Sequence, residues 1–130
     1  MKESFELTEF FPVSAAVLYQ AWLDSEAHSK MTGGEARCSA KEGETFTAWN
    51  QYISGRNISL IADEKIVQSW RTTQFQEDDE DSELTILLTE ATGGCQMRLI
   101  HTNIPEGQTQ YKQGWLDHYF GPMKGYFGSK

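Results

Sequence analysis

The sequence predicts an α+β domain: a curved antiparallel sheet of about seven strands wrapped around one long C-terminal helix, with two short helices between the first two strands. Three observations carry this. Residues 35–104 are rich in β-branched and aromatic side chains and alternate with a period of two. The connections in that stretch are short and built from turn residues, which joins successive strands antiparallel. Beyond residue 108, large apolar residues recur at spacings of three, four and seven, as one face of a helix requires.

Taken in order, residues 4–11 (SFELTEFF) alternate loosely and form a strand with Phe5 and Leu7 on its buried face. Pro12 ends it, and Ser14 is placed to cap a short helix carrying Val17, Leu18, Tyr19, Trp22 and Leu23. Leu18 and Trp22 are four apart and share a face. Asp24 caps a second short helix that runs to Lys30, before Gly33 and Gly34 turn the chain. His28 and Lys30 then fall in its last turn, where positive charge is favoured. The following strands are Ala36–Ala40, Thr45–Asn50, Tyr52–Ala62, Lys65–Phe75, Glu83–Thr92 and Cys95–Ile104. Glu42-Gly43, Asp63-Glu64, an acidic run and Gly93-Gly94 connect them, and the glycine pair is the clearest hairpin signal.

The final helix begins near Thr109 and carries Tyr111, Trp115, Leu116, Tyr119, Phe120, Met123, Tyr126 and Phe127. Its composition opposes it: Gly114, Gly121 and Gly125 weaken a helix, and the interior Pro122 costs about 3 kcal/mol. Packing of the aromatics has to outweigh this, with a kink where Pro122 withholds a hydrogen bond from residue 118. Gly114 is expected to let the helix backbone approach the sheet closely.

A chain of 130 residues fits a single domain spanning 1–130. Hydrophobic residues make up 38% and aromatics 12%, too much for a disordered chain. The formal net charge of −8 repels phosphate backbones and argues against nucleic acid as a partner. Most of that charge is local. Glu77, Asp78, Asp79, Glu80, Asp81 and Glu83 contain no base among them, and without these six acids the rest of the chain has 13 acids against 11 bases. A calcium loop of the helix–loop–helix kind needs a glycine at its sharp turn, and none lies between Trp70 and Thr92. The run is then a solvated turn between strands or, as Glu77, Asp78, Asp79, Glu80 and Asp81, a docking patch for a basic partner. No signal peptide opens the chain, and the longest apolar run, Ala15 to Tyr19, is far short of a membrane span. A cytoplasmic protein away from membranes is expected, with Cys38 and Cys95 reduced and packed, although sequence leaves a disulfide between them open.

Several ordered motifs resemble one family. They are Val17-Leu18-Tyr19-Gln20-Ala21-Trp22 and Met31-Thr32-Gly33-Gly34; then Tyr52-Ile53-Ser54-Gly55 and Ile66-Val67-Gln68-Ser69-Trp70-Arg71; then Ile104-Pro105, Gly114-Trp115, Tyr119-Phe120 and Met123-Lys124-Gly125-Tyr126-Phe127-Gly128. Together they resemble the activator-of-heat-shock-protein-90-ATPase homologues, of the C-terminal-domain type, within the START-like (SRPBCC, birch-pollen-allergen-like) helix-grip superfamily. The resemblance implies a non-catalytic module that docks on heat-shock protein 90 and modulates its ATPase cycle. In the full eukaryotic activators a separate N-terminal domain contributes much of the stimulation, and 130 residues hold no room for it. Other members of the superfamily hold apolar small molecules between sheet and helix, which is the alternative reading.

That alternative has candidate residues. Trp22, Trp49, Trp70, Trp115, Tyr119 and Met123, with His101, could line such a cavity, or could simply fill the core. Arg56 and Arg71 are the cations to watch at its mouth, although alternation puts Arg71 opposite Trp70 and toward the surface. Catalytic machinery is not indicated. His118 reads as an exposed helix histidine, and His101 as either a proton-transfer group or a hydrogen-bonded strand histidine. No metal-ligand spacing and no nucleophile elbow occurs, so neither enzyme, metal nor cofactor is expected.

Overall fold

Strict alternation survives folding best in the middle of the chain. In the computed structural model, which describes residues 2–128, every second residue of β4 (Lys65–Thr72) is buried, from Ile66 to Thr72. The same holds in β5 (Ser82–Ala91) through Leu84, Ile86 and Leu88, and in β6 (Gly94–Ile104) through Cys95, Met97, Leu99 and His101. With β1 (Glu3–Phe11), β2 (Thr45–Ala48) and β3 (Ile53–Ile61) they form one antiparallel sheet of six strands in the order β1-β6-β5-β4-β3-β2. A register shift between Asn57 and Ser59 bulges β3, leaves Ile58 half-exposed and adds to the bend of the sheet. The β5–β6 hairpin closes through Gly93 at φ 81°. Its neighbour Gly94 lies so near β1 that a Cβ would stand 2.1 Å from the Phe11 carbonyl.

The expected seventh strand, Ala36–Ala40, is absent. Only Arg37 pairs, as an isolated bridge to Thr47. The remaining backbone groups find side-chain partners instead. Ala36 N–H donates to Ser29 Oγ at 2.9 Å and Cys38 N–H to Ser25 Oγ at 2.8 Å. The Asn57 side-chain amide donates to the carbonyls of Ser39 and Lys41. A segment whose donors and acceptors are met this way has no need of a ladder. Strand ends also differ: β2 stops at Ala48 and β3 starts at Ile53 because residues 49–51 form a turn, with φ of 50°, 58° and 74°.

Helices α1 (Ala15–Leu23) and α2 (Ser25–Thr32) begin at the expected caps. Ser14 Oγ accepts from Val17 N–H at 3.2 Å and Asp24 Oδ2 from Ala27 N–H at 2.9 Å. Gly33, left-handed at φ 90°, ends α2. No helix among the described residues is long and apolar enough to cross a membrane.

The C-terminal helix lies on the concave face as α3 (Tyr111–Trp115), a π turn (Leu116–Phe120) and α4 (Gly121–Gly128). The irregularity is this π turn, set immediately before Pro122. The Gly121 N–H reaches back to the Leu116 carbonyl, and the wider turn gives the proline ring room that an α turn would not. Lys124 Nζ pairs with Glu9 at 2.9 Å and pins α4 to the first strand. Gly114 departs from expectation. A Cβ built there meets nothing within 4 Å, so this glycine faces open space and not the sheet. The close approach belongs to Gly55, whose Cβ would stand 1.8 Å from the Ser69 carbonyl.

The two glycines should respond oppositely to alanine. Gly55→Ala is expected to destabilise the fold by about 2–3 kcal/mol through backbone collision. Gly114→Ala should stabilise it by about 0.5–1 kcal/mol, since it restores helix propensity without steric cost. Urea midpoints at constant slope decide both.

Candidate functional site

Between the helix and the sheet lies a cavity of about 280 Å³. The helix contributes Tyr111, Gly114, Trp115, His118 and Tyr119; the sheet side contributes Trp49, Tyr52, Ile53 and Trp70. Four of the anticipated residues, Trp49, Trp70, Trp115 and Tyr119, are therefore brought together on its wall. Trp22, His101 and Met123 are not. Trp22 stacks behind Trp115 with ring centroids 6.1 Å apart and contacts Tyr119 at 5.1 Å. Met123 is fully buried in the core. Tyr52, Ile53, Tyr111, Gly114 and His118 complete the wall without having been anticipated. Four of them could have been found: Tyr111, Gly114 and His118 share one helical face with Trp115, and Tyr52 lies across the turn from Trp49.

His101 is a fully buried structural histidine. The Trp115 indole N–H donates to its Nδ1 at 3.0 Å, so Nδ1 is unprotonated and Nε2 carries the hydrogen. Nε2–H donates to Ser82 Oγ at 2.8 Å, and that hydroxyl donates to the Trp70 carbonyl at 2.6 Å. Burial holds the imidazole far below its ordinary pKa of 6.5, at about 3. The proton-transfer reading is thereby replaced: both nitrogens are committed to protein.

His28 plays the matching part: it is buried within α2 and not in the last turn, where the sequence placed it beside Lys30. Its Nδ1–H donates to the Trp22 carbonyl at 2.8 Å, and its Nε2 accepts from the Tyr119 hydroxyl at 2.8 Å. Burial pushes its pKa down to about 4. Desolvation also raises the Tyr119 phenol well above its usual range and the Tyr111 phenol to about 12. Tyr111 Oη donates to Gln108 Oε1 and takes a hydrogen bond from Thr72 Oγ1, both at 2.7 Å. Tyr52 Oη donates to Gln74. Each tyrosine of the wall is thus spoken for.

Trp49 is the exception. Its indole N–H is shielded from solvent and meets no acceptor among the described residues. The ring lies against Gly34, where a Cβ would come within 2.4 Å of it, and meets the exposed His118 ring edge-on at 5.6 Å. Its backbone sits in the left-handed turn 49–51, where the Tyr52 N–H closes onto the Trp49 carbonyl. Asn50 tolerates that conformation, and its amide oxygen accepts from Glu35 N–H at 3.0 Å. Trp49 and Gln51 do not, at a cost of about 1–3 kcal/mol each.

The acidic run forms the β4–β5 connection. Arg71 organises it, donating to Asp81 Oδ1 at 2.6 Å and to the carbonyls of Gln76 and Asp79. Asp79 Oδ2 accepts from Gln76 N–H. Glu77, Asp78 and Glu80 remain exposed. Arg56 is exposed and stands away from the cavity wall. Cys38 and Cys95 are both free thiols; burial pushes Cys38 up to about 12. No group of three His, Cys, Asp or Glu among the described residues is arranged to hold a metal ion.

Comparison with known proteins adds a family to this geometry. The profile described as "Activator of Hsp90 ATPase homolog 1-like protein" matches residues 12–128. The human activator of 90 kDa heat shock protein ATPase homolog 1 is 26% identical over 123 residues, covering 94% of this chain and 36% of that protein. The mouse activator of 90 kDa heat shock protein ATPase homolog 2 is 24% identical, over 94% of this chain and 37% of its own length. The chain thus spans little more than a third of these relatives. A crystal structure described as an HSP90 activator from Plasmodium falciparum superposes with a TM-score of 0.86, at 26% identity, over 96% of each chain.

The two imidazoles set a pH dependence. Folded pKa values below 6.5 mean that the unfolded chain takes up protons first as pH falls. Stability is then complete above about pH 7 and declines between pH 6.5 and 4, by about 2 kcal/mol per histidine at pH 5. Protonating His101 would also set N–H against the Trp115 N–H. Urea unfolding from pH 8 to pH 5 should show this slope, and a flat profile would mean the histidines are charged or exposed.

Proposed function

The chain belongs to the activator-of-Hsp90-ATPase homolog 1-like family, and from that premise we propose that it is a non-catalytic binding module that docks on heat-shock protein 90 in the cytoplasm and modulates its ATPase cycle. The observation that carries this is the family match across residues 12–128, joined to a superposition over 96% of the length of a protein described as an HSP90 activator. The non-catalytic part is supported by the state of the buried histidines: His28 and His101 have both ring nitrogens bonded within the protein, which leaves neither available to a substrate.

The acidic turn supplies a docking patch narrower than the run itself. Arg71 neutralises Asp81 and fixes the turn from within, so the charge presented to a basic surface is that of Glu77, Asp78 and Glu80. Rim charges of this kind govern association rate and salt dependence more than final affinity. Replacing all three by their amides should slow association with heat-shock protein 90 several-fold and flatten its dependence on salt. Isotope-labelled protein titrated with the chaperone reads the contact directly. A spectrum unchanged at high partner concentration would remove the docking reading altogether.

A second reading, binding of an apolar small molecule, is favoured by one observation: the cavity is open at Gly114 and walled by aromatic rings whose hydroxyls are already bonded within the protein. Gly114→Leu would fill that space while keeping the helix, and should abolish uptake of any such ligand. Unchanged uptake in that variant excludes the cavity as its site.

A further inference from the structure

Trp49 combines features that the core alone does not require. Its N–H is the one buried side-chain polar atom without a partner among the described residues. It stands on a turn whose three successive non-glycine residues all have positive φ, at the end of a four-residue edge strand. The residue is only partly buried, and it lines the cavity together with Gly114 and Trp115. A donor left unmatched in this way is stabilised by any acceptor brought to it.

We propose that Trp49 is the recognition residue of the cavity, and that the ligand is a small, neutral, planar aromatic molecule bearing a hydrogen-bond acceptor such as a ketone oxygen. This rests on the small-molecule reading above and deepens it. The size follows from the volume: 280 Å³ holds on the order of nine water-sized groups. The planarity follows from the walls, since Trp70, Trp115, Tyr111 and Tyr119 offer ring faces and edges. Neutrality follows because no lysine, arginine or carboxylate lines the space, and the one imidazole of the wall, His118, is exposed to solvent and not enclosed with the ligand. The acceptor follows because the tyrosine hydroxyls are committed, which leaves the Trp49 N–H as the buried donor of the wall, beside the exposed His118 ring at its edge. That N–H is covered in the present position. Ligand entry therefore turns the indole out of its seat on Gly34, and the short edge strand and its strained turn are the part of the sheet best able to follow.

Acetophenone and α-methylstyrene test this, because they differ only in an oxygen in place of a methylene. Isotope-labelled protein is titrated with each while the indole N–H resonances are followed. Both should perturb the cavity residues, and only the ketone should move the Trp49 N–H signal downfield. Trp49→Phe should weaken acetophenone by about five- to thirty-fold and leave α-methylstyrene within about two-fold. Gly34→Ala, which keeps Trp49 but pushes its ring off that seat and so uncovers the N–H in advance, should tighten the ketone selectively and serves if the first variant does not fold. Binding of both compounds with no selective effect of either variant overturns the role of Trp49 while leaving the cavity as a binding site. Failure of both compounds to perturb the cavity at millimolar concentration overturns the proposal and the small-molecule reading together.

Discussion

Two buried imidazoles grip the C-terminal helix one turn apart, and the rest of the structure depends on that grip. Trp115 is held through its indole by His101, and Tyr119 through its hydroxyl by His28. The helix so held is a poor one, interrupted by three internal glycines and a proline. Each imidazole reaches a different layer. His101 ties the helix to β5 and, through Ser82, to the Trp70 carbonyl of β4, while His28 ties it to α1 through the Trp22 carbonyl. Both contacts require a neutral ring with one donor and one acceptor, which no other side chain supplies in that shape.

The order of the elements was legible because it depends on local pattern: period-two strands, Ser14 and Asp24 at helix starts, and a broad aromatic stripe at the end. What sequence could not show was decided by tertiary partners. Ala36–Ala40 has the composition of a strand, yet hydroxyls on α2 take its backbone bonds. His28 reads as a last-turn residue, where a helix favours positive charge, yet α2 runs on to Thr32, and Tyr119, 91 positions away, binds the ring neutral. Gly114 was assigned a packing role that Gly55 fills, since a glycine reads alike whether it faces a carbonyl or empty space. Of the cavity wall, the tryptophans announced themselves by size. His101 was misplaced because strand alternation gives the face of a residue and not the ring that covers it.

The two candidate surfaces of this family member are joined by contacts. Phe75 lies at the foot of the acidic turn beneath the Arg71 guanidinium, 5.3 Å from its ring, and packs against Trp70 and Tyr111 on the cavity wall. Arg71 in turn holds the turn together through Asp81. One chain of contacts therefore runs from the exposed carboxylates to the cavity lining, with a single phenyl ring between them.

The π turn has a consequence for how the helix fits the sheet at all. Tyr111, Trp115, Tyr119, Met123 and Phe127 are spaced by four and all buried. In an unbroken α-helix a spacing of four advances about 40° beyond a full turn at each step, so five such residues would spiral nearly halfway around the axis. The wider turn at Leu116–Phe120 absorbs an extra residue and brings the later side chains back into line. It works as a phase correction, much as a leap day keeps a calendar aligned with the seasons. Removing one residue from that turn would leave the helix intact yet exchange the side chains that α4 presents to the core.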